Sequence, residues 1–235
     1  MKKSKIFTIG ALSICLLGSA GCSSMTNLGK GAAIGGGGGG ALGAGIGALI
    51  GGGKGAGIGA AIGAVVGAGA GALIGRKMDQ QQKELEAQLA EKAAVEKVTD
   101  QNGLQAIKVT FNGGILFPTN GTTLSSTART DLTGFATNLI NNPETNVQIY
   151  GFTDNTGGMA VNEKVSTGRA DAVRNILINS GVAASRVTAQ GIPMADYIAS
   201  NDTAEGRAQN RRVEIYITAN QQMIQQAENG TLAMR

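Results

Sequence analysis

The chain has 235 residues, 38 of them glycine, with two cysteines and no histidine or tryptophan. With no histidine, and no carboxylates clustered at metal-ligand spacing, the sequence presents no cofactor, no metal site and no catalytic constellation, and it does not read as an enzyme. The net charge of +4 rests mostly on Lys2, Lys3 and Lys5. Taking these three from the 20 basic residues leaves 17 against 16 acidic ones, so the basic pI says little about a nucleic-acid partner.

Residues 1–21 form a targeting segment: three lysines, an apolar core from Ile6 to Leu17, and then the small residues Ser19-Ala20-Gly21. Cys22 follows at once, and small residues before a cysteine resemble a bacterial lipobox. That similarity implies cleavage before Cys22 and a diacylglycerol on its sulfur. Ordinary signal cleavage leaving a free thiol is the competing reading. Cys15 sits inside the apolar core and departs with the leader, so the mature chain keeps one cysteine and forms no internal disulfide. Ser23 after the cysteine is compatible with delivery to the cell outer membrane, with residues 22–28 as a short linker.

Residues 29–77 carry an ordered glycine pattern. Glycines recur at every fourth position from Gly31 to Gly75, and Gly29–Gly51 repeats as Gly53–Gly75 with roughly 15 of 23 positions identical. Each copy is long and apolar enough for a helix that enters a hydrocarbon core, and a Gly-x-x-x-Gly row lets helix backbones approach closely. The expectation is a glycine-zipper helical hairpin turning at Gly51-Gly52-Gly53. A flexible linker and a soluble oligomeric coil remain open readings. A phosphate-cradling loop is not one of them, because Lys54 is followed by Gly55 rather than Ser or Thr. Residues 78–103 change character: Met78–Val98 is rich in helix formers, with Leu85, Leu89 and Ala93 in one row, and reads as a charged helical spacer that could self-associate.

A globular unit spans residues 104–218. Ala106–Phe111 alternates as a strand, which Ile115–Phe117 continues or bends. Thr123–Asn141 reads as a helix with Leu124, Ala128, Leu132, Phe135, Leu139 and Ile140 inward. Val147–Tyr150 is a strand, and Asn155–Gly158 a turn. The helix after it carries Val161, Val165, Ala172, Val173, Ile176 and Leu177 on its apolar stripe. Arg186–Gln190 is a third strand, Met194–Thr203 a long loop, Ala204–Arg211 a short helix and Val213–Thr218 the last strand. The expected fold class is α+β, an α/β sandwich: one mixed sheet with helices on one face and the second and third strands parallel. Residues 219–235 read as a polar, frayed tail.

The spacing places Asp154 at the carboxyl end of a strand and Arg169 about two turns into the next helix, close enough to share a pocket or to form a surface ion pair. Such a pair suits a small ligand with both an ammonium and a carboxylate. Three segments in order, Gly151-Phe152-Thr153-Asp154, then Asn162 through Ser166 to Arg169-Ala170, and Gly206 to Ile215 with Asn210-Arg211-Arg212, resemble the OmpA-like peptidoglycan-binding domain. The resemblance implies that Asp154 and Arg169 hold the diaminopimelate side chain of a peptidoglycan stem peptide, with Thr153 beside them. It places Phe117, Thr119 and Asn120 where a loop borders the ligand, Asn162 at the helix start and Arg212 beside the pocket. Core and turn roles compete for the first three, and a helix cap for Asn162. Two departures stand out: Gly191-Ile192-Pro193-Met194 lacks a second glycine, and Val165 stands where leucine is usual.

The layout as a whole resembles OmpA-family lipoproteins that carry a glycine-rich segment. It implies an outer-membrane lipoprotein, its C-terminal domain in the periplasm, tethering membrane to peptidoglycan and able to form a homo-oligomer. The alternative is a wall-anchoring subunit of a larger envelope machine, such as a stator or secretion assembly.

Overall fold

A computed structural model describes residues 66–100, 102–118 and 121–234. The leader, Cys22, the glycine pattern up to residue 65, Thr119 and Asn120 therefore lie outside the described residues. Helix α1 (Ala68–Leu89) leads into strand β1 (Ala93–Thr99), β2 (Gln105–Asn112) and one helical turn, α2 (Gly113–Leu116). Helix α3 (Ser126–Asn141), β3 (Thr145–Phe152), α4 (Met159–Asn179), β4 (Val187–Ile192), α5 (Ala204–Asn210), β5 (Arg212–Ala219) and α6 (Gln221–Glu228) follow. The five strands form one mixed sheet in the order β1-β2-β5-β3-β4. Only β3 and β4 run parallel, Val147 pairing with Val187.

Strand alternation sorts the side chains onto two faces. Ile107, Val109 and Phe111 of β2, Val147 and Ile149 of β3, and Val213, Ile215 and Ile217 of β5 join one core with residues of α1, α3, α4 and α6. The opposite face carries no helix layer among the described residues and holds a smaller cluster of Ala106, Tyr150, Phe152, Ile192 and Tyr216. This is the α+β sheet with helices on one face.

Three segments differ from expectation. Met78–Val98 is not one helix: α1 ends at Leu89, Glu91 takes a positive φ of 64°, and the chain turns back as β1. Alanine, glutamate and lysine favour a helix locally, but pairing with β2, Val95 opposite Val109, overrides that weak preference. The hairpin is closed by Asp100, whose carboxylate accepts from the backbone N–H groups of Asn102 at 2.8 Å and Leu104 at 2.9 Å. Nor is the segment a detached spacer. Ala70, Ile74, Met78, Leu85 and Leu89 are buried in the domain core, each large side chain contributing about 1.5–3 kcal/mol. Ile115–Leu116 sits in the helical turn α2 rather than in a strand. The tail is not frayed throughout: α6, capped by Asn220, buries Met223, Ile224 and Ala227 against the same core. Among the described residues no helix is long and apolar enough to cross a membrane.

One packing feature places α4. Gly151 of β3 pairs with Gly191 of β4, and both face the helix. A methyl on Gly151 would overlap the Ser166 carbonyl oxygen and stand 3.2 Å from the Ala170 amide nitrogen. One on Gly191 would lie 2.5 Å from the Thr167 amide nitrogen. The two glycines thus let α4 lie against the sheet at the turn that carries Arg169.

Candidate functional site

Asp154 follows the end of β3, where the sheet stops and the chain turns towards α4. Its Oδ1 accepts from the Thr156 N–H at 2.8 Å, and the turn is tied down by Asn162, whose Nδ2 donates to the carbonyls of Thr156 at 2.8 Å and Gly158 at 3.2 Å. Thr153 accepts from the Met194 N–H at 3.0 Å, which fastens the loop after β4 to the same corner. Arg169 reaches the corner from α4. It is 4 % exposed, donates from Nε to the Gly121 carbonyl at 3.1 Å, and lies over the Phe117 ring with 5.3 Å to the centroid.

These groups share a cavity of about 490 Å³ whose walls include Thr153, Asp154, Asn162, Arg169 and Arg211, with Val161 and Val165 as its apolar side. Val161 and Val165 were expected in the core of α4. Val161 is instead 64 % exposed, because the buried stripe of the helix runs through Asn162, Ser166, Arg169, Ala170, Val173 and Leu177. The inward face of the first half of α4 is polar because it faces this cavity.

Arg211 donates from Nη1 to Asp154 Oδ2 at 2.6 Å, and its side chain is 40 % exposed while that of Asp154 is 8 % exposed. Burial pushes the Asp154 carboxyl upward, but the Thr156 amide and the Arg211 guanidinium outweigh it and hold it below the ordinary carboxylate value. Burial draws Arg169 down, and the like charge of Arg211 adds to this while Asp154 opposes it. A guanidinium still remains a cation throughout the neutral range. Among the described residues Arg169 makes no ion pair. The cavity therefore presents one ionised carboxylate and two guanidinium groups; Arg211 pairs with Asp154, and Arg169 is the one without a counter-charge among the described residues.

Arg212 does not line this cavity. Successive strand residues point to opposite faces, and Arg212 lies on the open face of the sheet. There it donates to Glu214 at 2.7 Å, stacks 3.7 Å from the Phe152 ring centroid and donates to the Asp196 carbonyl at 3.0 Å. Arg211 takes the place expected of it. The alternation itself carried that signal: Arg211 is in phase with Val213 and Ile215, which face the helices. Asn210 holds the 194–203 loop, its Oδ1 accepting from Ile198 and Ala199. Among the described residues there is no group of three or more His, Cys, Asp or Glu able to hold a metal ion.

The model of the OmpA family matches residues 116–211, which contain Asp154, Arg169 and Arg211. That stretch of the chain is similar to the OmpA family. Residues 1–79 match the YMGG-like Gly-zipper family, and the end of that match, from Ala68, lies in α1. The chain is 41% identical over 133 residues to the probable lipoprotein YiaD of Escherichia coli K12, covering 57% of this chain and 61% of that one. It is 39% identical over 112 residues to the peptidoglycan-binding protein ArfA of Mycobacterium tuberculosis, covering 48% of this chain and 34% of that one. Against both curated relatives, then, it spans less than two thirds of their length. The OmpA domain also superposes on the cell wall anchor of the T6SS from Pseudomonas aeruginosa, with a TM-score of 0.51 and 28% identity over 61% of this chain and 97% of that one. These three are named as a probable lipoprotein, a peptidoglycan-binding protein and a cell wall anchor, none of them as an enzyme.

Proposed function

We propose that the protein is an outer-membrane lipoprotein that tethers the membrane to the wall by gripping the diaminopimelate side chain of peptidoglycan stem peptides. The observation that carries this reading is the buried guanidinium of Arg169, without an ion-pair partner among the described residues, in one cavity with the ionised carboxylate of Asp154. The far end of diaminopimelate carries an ammonium and a carboxylate on one carbon. Asp154 accepts from the ammonium, and Arg169 clamps the carboxylate through two parallel bonds. Arg211 stands ready to share its charge between Asp154 and that carboxylate, while Val161 and Val165 cover the methylene stem. Thr153 and Asn162 fix the corner that orients Asp154. Cys22 carries the lipid, with the domain on the periplasmic side. Weak single-site binding suffices, since many copies facing a polymer act with avidity.

A lysine-type stem offers the ammonium alone and leaves Arg169 unmatched, which costs on the order of 1–3 kcal/mol, or roughly 5- to 150-fold in affinity. Titration calorimetry of the full chain in detergent against muropeptides of both types tests this. Diaminopimelate should be preferred, Arg169→Ala should erase most of the preference, and Asp154→Ala should weaken both ligands. Equal affinity of the wild type for the two would refute the pocket assignment.

A second reading, a wall-anchoring subunit of a larger envelope assembly, draws on the likeness to the T6SS anchor. It uses the same pocket and is separated from the first by whether the chain purifies from native membranes within a large hetero-complex.

A further inference from the structure

A second depression lies on the other side of the sheet from the Asp154 cavity, at the same end. It measures about 440 Å³ and is lined by Ala94 of β1, Thr110 and Asn112 of β2, Ile198 of the long loop, Gln209 of α5 and, at its base, Arg212. Asn112 pairs with Arg212 where β2 ends and β5 begins, and β3 ends beside the same start of β5. The successive residues Arg211 and Arg212 thus belong to the two depressions, one on each side of the sheet.

The chemistry of the two differs. In the second, the cations already have partners: Lys92 Nζ lies 2.6 Å from Asp131 and Arg212 Nε 2.7 Å from Glu214. That leaves Glu91 as the one charged group lining it that forms no ion pair among the described residues. Thr110 and Gln209 make no side-chain hydrogen bond among the described residues, and Asn112 uses only its Oδ1, which accepts from Gly114 at 2.8 Å. Neutral donors and acceptors beside alanine and isoleucine surfaces suit an uncharged polyhydroxyl or acetamido ligand and give an anion no partner.

We propose that this groove binds an N-acetylated sugar of the same peptidoglycan strand whose stem peptide occupies the Asp154 cavity. The inference rests on that reading of the cavity. Along the sheet, from the end of β3 across β5 to β2 and β1 is two to three strand separations, roughly 10–14 Å, and rounding the sheet end from one face to the other adds several ångströms, roughly 15–18 Å in all. The far end of diaminopimelate is separated from the disaccharide by its own side chain, two stem residues and a lactyl link, roughly 15 Å when extended, so the nearer or the farther sugar of the disaccharide reaches the groove. The strand crosses the ridge formed by Arg211 and the 197–198 segment, so that one muropeptide engages both sides of the sheet end.

The test uses the full chain in detergent and two probes: the diaminopimelate-containing stem tripeptide alone, and the same tripeptide on its N-acetylglucosamine–N-acetylmuramic acid disaccharide. The disaccharide form should bind about tenfold more tightly, the order of one or two net neutral hydrogen bonds. Ala94→Arg fills the groove from an exposed strand position, and Gln209→Ala removes an exposed donor. Each should bring the disaccharide form down to the affinity of the tripeptide and leave the tripeptide unchanged. Arg169→Ala should weaken both probes. Equal affinity of the wild type for the two probes, or a disaccharide advantage that survives Ala94→Arg, overturns the sugar site while tripeptide binding still upholds the cavity. If neither probe binds the wild type, both proposals fall.

Discussion

The position of Arg169 depends on a residue that never touches the ligand. Gly151 lies in β3 between β4 and β5, so it cannot move aside, and its missing side chain is what lets α4 approach. In Gly151→Ala the new methyl would overlap the Ser166 carbonyl oxygen and crowd the Ala170 amide at 3.2 Å. Non-bonded carbon contacts settle near 3.5–4.0 Å, so the helix must withdraw by about 1 Å at the turn bearing Arg169. Overpacking of this kind costs about 2 kcal/mol, or roughly 4–8 °C in Tm for an ordered region of this size. Retreat of the guanidinium from the clamp proposed for it on the ligand carboxylate adds a separate loss of about tenfold in affinity, the order of one charge-assisted hydrogen bond. The assay is a calorimetric melt followed by titration with a diaminopimelate muropeptide. Gly158→Ala serves as the control, because a methyl there meets nothing within 4 Å. If Gly151→Ala melts within 1 °C of wild type, or so roughly as the two scans can be told apart, and binds equally well, close approach does not position Arg169.

Two further outcomes follow from the same chemistry. Burial pushes the Asp100 carboxyl up, against the pull of the Leu104 and Asn102 amides; the folded chain then holds a proton that the unfolded chain has lost, and stability falls as pH rises from the ordinary carboxylate value through the raised one. Asp100→Asn removes this dependence, so the stability of the variant relative to wild type should grow from pH 4 to pH 7 (roughly the span above an ordinary carboxylate pKa) in urea melts, and a gap that shrinks over that range refutes the assignment. Cys22→Ser should abolish incorporation of labelled palmitate and release the chain from membranes, since stable anchoring takes more than one acyl chain; a variant that still takes the label is acylated elsewhere.

Much of the fold was legible because local pattern and tertiary demand agreed. Ile107, Val109 and Phe111 alternate and do face the helices, and Leu132, Phe135 and Leu139 fall one helical turn apart and are buried. Asp154 and Arg169 could be brought near one another from their spacing, since a strand end and a position two to three turns into the next helix leave few alternatives. The failures came where two signals conflicted. In β1 the composition of Ala93–Thr99 favours a helix, and only a partner strand distant in sequence supplies the reason to extend. In α6, glutamines hide a short apolar stripe of Met223, Ile224 and Ala227, whose meaning depends on a helix 140 residues earlier, roughly the full length of the domain. Arg212 was preferred to Arg211 on motif position, although the two-residue period of β5 assigns them to opposite faces.

In the proposed tether, the inward folding of α1 and β1 also sets how far the domain reaches from a lipid on Cys22. Had the domain begun at Leu104, a leash of about 82 residues would separate it from Cys22, enough for roughly 280 Å at full stretch. Because the folded unit starts by Ala68, about 46 residues remain, or roughly 160 Å when taut and about 35–40 Å as a relaxed coil. The glycine pattern occupies most of that leash, so any helix formed within it, at about 1.5 Å per residue, lowers the taut limit while stiffening the leash beyond the relaxed-coil distance. The span of the gap that one molecule can bridge is thus governed by the conformation of the glycine-rich segment, while the domain at its end contributes grip and no length.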